Sequence, residues 1–530
     1  MNFIDKTVAT FAPVHAVKRA AARKTLQILN SGYGDGGASH SKKSMRGFTA
    51  TSKSPLQDID ANHSTLVSRS RSLYMTAPIA TGAIKTTVTN VVGSGLKLKS
   101  RIDFEFLGMT EDEAEKWEAN TEREFELWAN SRMCDALRLN SFYEMQGIMF
   151  KAILLNGDGF CLNKYEKPTK AMPYGLRLQL LEGDRVSTPN AMSTSFGNDL
   201  YMGVNPDNKN KIYSGVEVDK NGATVAYWIC NQYPYNGGFE NTEPLKWQRV
   251  EMYGTKTGRQ NLIHCFDAER AEQRRGVPML APVIEELKQL KRYTDAELMA
   301  AVISGMFTVF ITTDAPSTEN PLGQGYPDGE QSIDSDINDY QLGNGAIVTL
   351  NEGEKIDIAD PKRPNTAFDG FVNALCKNIG TALEIPQELL LKSFNSSYSA
   401  SRAALLEAWK MFKKRRKWLS NEFCQPVYEL FLTEAIALGR IKADGFFEDA
   451  VIRKAWCGAA WNGAAMGMVD PTKEVQAAQM RVENGFSTRE EETMGLTGGD
   501  YKKNAKQLKR ENIMLADAQV SQSVEAKGGE

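Results

Sequence analysis

The sequence predicts an α+β protein built from several structural units. Short β-rich runs separated by turn signals lie between Leu176 and Ile229, and the KNG tripeptide among them is typical of a hairpin with glycine at the positive-φ position. Segments with apolar residues at spacings of three, four and seven predict long helices before and after this region. A chain of 530 residues that is 42% hydrophobic can bury more than one core, so about two to four units are expected.

The overall charge excludes a protein that binds polyanions through a basic surface on all sides. The 63 Lys and Arg residues nearly balance the 66 Asp and Glu residues, which leaves a net charge of -3. Any contact with nucleic acid must therefore be local. The seven cysteines are odd in number and far apart, a pattern typical of reduced thiols, so we expect neither a disulfide framework nor a zinc site.

The N-terminal region, residues 1–55, is predicted to be a basic flexible arm. Lys18, Arg19, Arg23 and Lys24 lie among alanines, as in a transit peptide or in a short surface helix with a solvated basic face. We favour the surface helix because nothing marks a cleavage point. No apolar run approaches the roughly 18 to 20 residues that cross a bilayer, and a hydrophobic signal core is absent. We therefore expect no membrane contact and a cytosolic protein.

Two helices are predicted before the β-rich region. The first runs from Glu111 to Asn130 and places Trp117, Phe125 and Trp128 on one side. The second runs from Phe142 to Leu155 and ends at the sequence NGDG. Residues 66–98, which alternate Thr, Val, Ile and Gly, receive no element.

After the β-rich region, the spacing of apolar residues predicts a long helix that begins near Met279. Its apolar positions are Leu280, Ile284, Leu287, Leu298 and Val302. The strand TVFIT follows, and residues 313–351 then contain no Lys or Arg. The acids of this segment are Asp314, Glu319, Asp328, Glu330, Asp334, Asp336 and Asp339. Acid pairs such as Asp334 and Asp336 suit magnesium, but we interpret the segment as a solvated acidic face and expect no metal site.

The strand pair GAIVTL and EKIDIAD leads into a helix from Phe368 to Leu383, which Glu384, Ile385 and Pro386 end. A third long helix covers about Ala400 to Ala437. Its apolar stripe is Leu405, Trp409, Phe412, Leu419 and Phe423, and its basic stripe is Lys410, Lys413, Lys414 and Lys417. Because the two stripes lie largely on different faces, the helix is predicted to be two-sided.

The C-terminal part reads as a run of short helices. Asp470 and Pro471 are predicted to open one of them, and Ser487 with Glu490 to form the capping box of another.

The sequence contains no supported catalytic site. There is no G-x-x-x-x-G-K-[ST] phosphate loop, so nucleotide hydrolysis is disfavoured. The chain has only four histidines, three of them in its first 63 residues, and a histidine-based triad or metal site is not expected. His264 lies in LIHCFD between apolar residues, where we favour a partly buried hydrogen-bonding histidine over a catalytic one. We expect no enzyme activity, no catalytic residue and no cofactor.

Five segments follow one another in a distinctive order and spacing. They are GDGF at Gly157, LEGDRVSTP, GVEVDKNGATVAYWI, HCFDAERAEQRRGVPMLAPVIEEL from His264 to Leu287, and EIPQELLLKSFNSSYSASRAALLEAW. This ordered set resembles the lambda-type portal proteins of tailed bacteriophages. The resemblance covers nearly the whole chain, from the N-terminal basic helix to GFSTREEE, and is weakest in the Gly/Ser/Lys arm and in the acidic segment.

The resemblance implies a portal fold that forms a ring of roughly twelve subunits at one capsid vertex, through which double-stranded DNA enters during packaging and leaves at infection. The implied parts are the arm (1–55), wing (56–278), first stem helix (279–305), α/β clip (306–365), second stem helix (366–386), tunnel loop (387–400), tunnel helix (401–437) and helical crown with tail (438–530). The implied partners are other copies of the chain, DNA, the terminase large subunit, the major capsid and scaffold proteins, and head-completion or tail adaptor proteins. The implied location is the virion, after assembly in the host cytoplasm.

Under this resemblance a set of residues in and beside the tunnel loop faces DNA. They are Lys392, Asn395, Ser396, Ser397, Tyr398, Ser399 and Arg402. Short hydroxyl and amide side chains form brief hydrogen bonds with phosphate, whereas a lysine repeated around a ring would hold the duplex. The alternative is structural, with Ser399 as a helix N-cap and the serines in a turn.

Two charged groups receive interface roles from the same resemblance. The basic stripe either lines the channel or pairs with acids of a neighbouring subunit, and we favour the pairing. The clip acids Asp328, Glu330, Asp334, Asp336 and Asp339 are expected to dock the packaging motor and later the head-completion proteins. The rival functions are a packaging-machine enzyme, either an ATPase or a nuclease, and a structural head protein without a channel.

Overall fold

The computed structural model describes residues 10, 12–29, 37–39, 42–194, 201–235, 243–305, 309–313, 354–358, 368–394, 397–467 and 470–527. The chain divides into two units, residues 1–54 and 55–530. The first unit contains helix α1, Pro13–Leu29, whose described basic side chains are all exposed. This confirms the predicted surface helix.

The second unit contains fourteen further α-helices among its described residues. They are α2 (Pro55–Asp58), α3 (His63–Thr76), α4 (Pro78–Val91), α5 (Glu111–Ala129), α6 (Phe142–Asn156), α7 (Ile284–Gly305), α8 (Phe368–Ala382), α9 (Gln387–Leu391), α10 (Tyr398–Leu419), α11 (Gln425–Ala437), α12 (Ala450–Trp456), α13 (Pro471–Glu483), α14 (Arg489–Thr497) and α15 (Tyr501–Lys527). In the part of the chain that the structure covers, none of the helices has the length and apolar content needed to span a membrane.

Twelve strands are described, and every pairing of one of these strands with another is antiparallel. They are β1 (Lys97–Ser100), β2 (Asp158–Tyr165), β3 (Leu176–Leu181), β4 (Met202–Val204), β5 (Lys211–Tyr213), β6 (Val216–Val218), β7 (Thr224–Cys230), β8 (Trp247–Glu251), β9 (Leu262–Phe266), β10 (Val309–Thr313), β11 (Glu354–Ile358) and β12 (Ala459–Asn462). They form a three-stranded sheet β3-β2-β9, a five-stranded sheet β4-β5-β6-β7-β8, and the pairs β1-β12 and β10-β11. The β6-β7 hairpin turns at Gly222 with φ of 86°, as the KNG sequence predicts. The α+β class is confirmed.

Local sequence explains where the best-predicted helices begin. Thr110 and Glu113 form a capping box at the start of α5, and Ser141 and Glu144 form another at the start of α6. Helix α6 ends at Gly157, whose φ of 89° is a left-handed conformation that glycine adopts without strain. Each predicted boundary of these two helices lies within one residue of the observed one.

Two details near the chain's C-terminal half differ from the prediction or extend it. Helix α14 is capped by Thr488, which accepts from the N–H of Glu491, so the capping box predicted at Ser487 and Glu490 is wrong by one residue. The strand within EKIDIAD forms as β11 and pairs with β10. Its predicted partner GAIVTL lies outside the described residues, as do the clip acids.

The main hydrophobic core joins segments that lie far apart in the sequence. Phe125 of α5 sits among the rings of Phe142, Tyr428, Phe431 and Trp461, with centroid distances of 5.2 to 5.9 Å. Residues assigned to the wing, the tunnel helix and the crown therefore share one core. Aromatic side chains of this size dominate the energy of burial, so the shared cluster ties these segments together.

The third long helix continues through a π-helical turn. Helix α10 leads directly into the π-helix Ser420–Cys424, and α11 follows without a break. Most of α11 is buried, whereas α10 is exposed on one side. Only α10, the first part of the predicted tunnel helix, can therefore present a charged face.

Candidate functional site

The predicted tunnel loop lies between helices α9 and α10. Lys392 ends α9 in a left-handed conformation with φ of 53°, and its side chain is exposed. The exposed Ser393 and Phe394 follow it. Asn395 and Ser396, two of the predicted DNA-facing residues, lie outside the described part. The chain thus leaves a half-buried helix and presents a polar segment with one exposed aromatic residue.

The start of α10 is fixed by Ser397. Its side chain accepts a hydrogen bond from the N–H of Ala400 at 3.4 Å, and its carbonyl accepts from the N–H of Ser401. The N-cap is therefore Ser397, and the alternative that assigned this role to Ser399 is wrong by two residues. Tyr398 and Ser399 are already helical, and Ser399 is exposed. Capping uses the hydroxyl of Ser397 as an acceptor, while its own O–H proton stays available to an outside acceptor.

Helix α10 has the two faces that its sequence predicts. The apolar side buries Trp409, Phe412 and Leu419 in the main core. The four lysines of the basic stripe, Lys410, Lys413, Lys414 and Lys417, are all exposed. Their spacing of three, four and seven residues keeps their ammonium groups on one side of the helix, where they form a continuous cationic surface.

Three arginines near this stripe are bound within the chain. Arg416 donates to the carbonyls of Val91 and Asn90 at 2.9 and 2.7 Å, and its guanidinium lies over the Trp409 ring. Arg415 pairs with Glu384 at 3.3 Å. Arg402, a predicted DNA-facing residue, pairs with Glu474 at 3.6 Å. The fork-shaped arginine side chains hold α10 in place, and the compact lysine charges remain at the surface.

Acids of the same chain lie along one side of the basic stripe. A groove of about 740 Å³ runs between the end of α8, α9 and α10. Lys410 and Lys414 line it together with Glu384, Glu388 and Glu407. Lys410 pairs with Glu407 at 2.6 Å, and both side chains are exposed. Mixed charge of this kind suits ion pairing with protein better than a uniform hold on phosphate.

A buried ion pair lies where three of the resemblance segments meet. Asp158 comes from GDGF, Gly183 from LEGDRVSTP and Arg275 from the segment containing RRGVP. The Arg275 Nε donates to Asp158 Oδ2 at 2.5 Å, and its Nη2 donates to the Gly183 carbonyl at 3.1 Å. Both charged residues are buried. Burial alone would raise the pKa of Asp158, but the Arg275 guanidinium holds it well below its usual range.

Close backbone approach explains the glycines of these segments. A Cβ on Gly276 would lie 1.9 Å from the carbonyl oxygen of Gly157, so neither chain segment has room for a side chain there. No sequence pattern predicts that Asp158 and Arg275 form a pair. The available signal was the recurrence of charged residues beside glycines in three separate segments, which spacing alone does not connect.

His264 belongs to the same buried cluster. Its ring stacks on Phe160 with a centroid distance of 4.1 Å, and its Nε2 lies 3.8 Å from Asp158 Oδ2. Burial lowers the pKa of His264. This placement is in accord with a structural role, but the predicted hydrogen bond is not formed at Nε2, which has no partner within hydrogen-bond distance among the described residues. Among the described residues, no group of three or more His, Cys, Asp or Glu side chains could hold a metal ion.

Comparison with known proteins decides the family. A family model described as phage portal protein, lambda family, matches residues 41–416. The chain belongs to the lambda family of phage portal proteins. Portal protein B of Escherichia phage lambda is 24% identical over 506 residues, which cover 91% of this chain and 90% of that protein. The portal protein of Escherichia phage N15 is 25% identical over 506 residues, with the same coverage.

A solved structure is also similar to this chain. It is the neck of a native gene transfer agent particle computed with C12 symmetry, at 14% identity and a TM-score of 0.41, covering 81% of this chain and 93% of that chain.

Within this portal-family chain, the family match includes the Asp158–Arg275 pair, the described tunnel-loop residues and all of the basic stripe except Lys417. The predicted resemblance to lambda-type portals is confirmed.

Proposed function

We propose that this portal-family chain assembles into a ring of roughly twelve copies at one capsid vertex and forms the conduit for double-stranded DNA during packaging and ejection. The observation that carries the proposal is the lambda-family match over residues 41–416. The chain then acts as a virion component assembled in the host cytoplasm, and it works by passage and docking rather than by catalysis.

The chemistry of the segment before α10 supports the conduit. Ser393 and Ser397 before α10, and Ser399 in its first turn, are exposed and carry hydroxyl groups, which exchange hydrogen bonds readily with water or phosphate. Two cations flank these serines: Arg402 is already paired with Glu474, and Lys392 is exposed at the end of α9. Each additional cation in contact with a phosphate would release about 0.9 counterions. Such contacts would hold the duplex in a salt-dependent way and slow its passage. A polar segment with weak contacts suits sequence-independent transport.

The basic stripe supports contact between adjacent copies. Lys413, Lys414 and Lys417 form no ion pair with the described residues, and their side chains are exposed. A head-to-tail ring requires each copy to present two different complementary surfaces. We assign the stripe to the side that meets acids of the next copy. Rim charges of this type choose the partner and its register more than they set the affinity.

The remaining partners follow from the acidic segment and the family. We assign Asp328, Glu330, Asp334, Asp336 and Asp339 to the docking of the terminase large subunit and then of head-completion or tail adaptor proteins, with the major capsid and scaffold proteins around the ring. These acids lie outside the described residues, so their support comes from the sequence alone.

The test is an image of the purified assembly along its symmetry axis. We expect a closed ring with an open axial hole wider than a DNA duplex, about 20 Å. ATP hydrolysis measured on the same sample should equal that of a buffer blank, which separates a conduit from a packaging ATPase. A closed disc would favour the structural head protein without a channel, and hydrolysis that copurifies with the ring would favour the enzyme.

A further inference from the structure

An open cleft lies where the two larger sheets separate. Their facing sides pack through Leu162 and Leu181 on the three-stranded sheet and through Ile229 and Val250 on the five-stranded sheet. Beyond this contact the sheets leave a cleft of about 540 Å³ whose floor these same side chains form. Asparagine and glutamine side chains surround the apolar floor. An apolar floor with an amide rim suits a peptide whose side chains alternate in character.

Strand β8 borders the cleft and is the last strand of its sheet. The backbone of Trp228 bonds away from β8, because its N–H donates to Gly215 and its carbonyl accepts from Ser187. Its cross-strand partner Arg249 therefore directs its own N–H and carbonyl away from β7, and so does Trp247 two residues earlier. These four backbone groups have no hydrogen-bond partner among the described residues.

The same edge is otherwise completed by the chain itself. One step further along β8, the Glu251 carbonyl accepts from the Asn261 side chain at 3.0 Å. The unpaired edge is thus limited to Trp247 and Arg249, a length that one short strand would cover. Exposed strand edges are templates for added strands, and proteins usually cover or charge them.

The charge around the cleft has one sign. Lys164, Arg185 and Lys246 line it, and no Asp or Glu does. Lys164 and Lys246 are exposed and form no ion pair with the described residues. Arg185 donates to the Cys230 carbonyl and so stays fixed at the rim. In a chain with a net charge of -3, three cations without a carboxylate are a local feature that favours an acidic occupant.

We propose that this cleft binds an extended acidic segment of another protein, which adds as a strand to the edge of β8. The backbone of the segment pairs with Trp247 and Arg249, its apolar side chains lie on Leu162, Ile229 and Val250, and its carboxylates face the lysines. This gives the portal subunit a second partner surface, which shares no lining residue with α10. The inference does not depend on the conduit, because a monomer also presents the cleft.

The test uses the full chain and two peptide probes of eight residues, acetylated and amidated: one alternates Val and Glu, and the other alternates Val and Lys. Fluorescence anisotropy should show binding of the acidic probe and on the order of tenfold weaker binding of the basic probe. The double variant Lys164→Glu, Lys246→Glu should weaken the acidic probe by on the order of tenfold. The matched double variant Lys220→Glu, Lys256→Glu, with both charges exposed outside the cleft, should bind it like the parent chain.

Amide hydrogen exchange separates strand addition from loose charge attraction. With the acidic probe bound, the N–H groups of Trp247 and Arg249 should exchange more slowly, while Gln248 and Val250, which already pair with β7, should change little. The proposal is overturned if neither probe binds. It is also overturned if both double variants weaken binding equally, or if Trp247 and Arg249 gain no protection.

Discussion

At the scale of single residues, the buried cluster around Arg275 holds groups whose protons respond to folding in opposite ways. Asp60 and His63 both line a small cavity beside Arg275. Burial raises the pKa of Asp60 to about 6, although Arg275 and a hydrogen bond from Ser214 oppose that rise. Burial also lowers the pKa of His63 to about 4, and the positive charge of Arg275 lowers it further. Both groups are therefore mainly neutral in mildly acid solution.

The two shifts change the free energy of unfolding with opposite signs. The folded chain binds a proton at Asp60 more tightly than the unfolded chain does, so this contribution is lost as pH rises through 6. The unfolded chain protonates its His63 near pH 6.5 and the folded chain only near 4, so this contribution is lost as pH falls across that window. In the parent chain the two contributions largely offset each other.

Variants that remove Asp60 or His63 alone should reveal the two opposing contributions to the free energy of unfolding. We expect Asp60→Asn to lose on the order of 2 kcal/mol more stability than the parent chain between about pH 7 and about pH 4.5, and His63→Gln to lose less than the parent chain by a similar amount. Urea unfolding at the two pH values measures both. The exposed His15→Gln in the first unit serves as the control. Parallel pH profiles for all four proteins would contradict the assignment.

A sequence pattern is most informative where one residue acts through its own backbone and least informative where residues act together. The glycine of the KNG turn is predicted correctly, because the turn itself demands a positive φ. The alternative with Ser399 as the N-cap is wrong, because neighbouring serines have equal capping chemistry and only the path of the chain selects Ser397. The Asp158–Arg275 pair spans 117 residues, and no local pattern encodes such a contact.

At the scale of elements, apolar periodicity predicts the positions of several helices accurately. It does not predict which other segments bury their apolar faces. Helices α5, α6 and α8 lie within one residue of their predicted bounds. Helices α3 and α4 were missed, because the four serines of α3 and the Thr, Val, Ile and Gly content of α4 have low helix propensity. Tertiary burial outweighs that propensity: Ala80, Ala83 and Ile84 of α4 are almost fully buried in the main core.

The predicted apolar face of helix α7 extends past the hydrophobic core of its own subunit, so part of this face is exposed. Leu287 and Leu290 are buried, whereas Leu298 is 64% exposed and Val302 45% exposed on the same helix. These two side chains are four residues apart and so lie on one face. In the ring proposed above, an adjacent copy would cover this face.

The double variant Leu298→Asp, Val302→Asp should therefore prevent ring assembly without unfolding the subunit. Fully burying a side chain of this size contributes about 1.5–3 kcal/mol, and a ring repeats the loss at every interface. Light scattering should report a shift from ring to monomer, with an unchanged unfolding temperature for the monomer. Gln289→Asp, an exposed polar position on α7, should leave the ring intact. A ring of full mass from the double variant would place this face outside the interface.

At the scale of the whole molecule, contacts within the second unit connect implied parts that lie far apart along the chain. Strand β1, from the implied wing, pairs with β12 of the implied crown over four residues. Several ion pairs join the C-terminal helices that follow to the earlier part. Lys99 bridges Glu122 at 3.4 Å and Asp500 at 2.8 Å, and Lys506 pairs with Glu115 at 2.6 Å. Stability is therefore expected to be uneven across this unit.

Because ion pairs hold this attachment, salt should loosen it before the core responds. The Debye length falls from about 10 Å at 0.1 M to about 3 Å at 1 M, and the exposed Lys506 pair is screened first. We expect limited proteolysis within residues 471–527 to accelerate several-fold at about 1 M salt, while sites in α5 and α6 remain protected. In Lys99→Met the cleavage should already be fast at about 0.1 M and respond little to further salt, since the bridge between Glu122 and Asp500 is gone. The exposed Lys85→Met should cleave like the parent chain. If salt and Lys99→Met leave the cleavage rate unchanged, apolar packing rather than charge fastens the C-terminal helices to the rest of the second unit.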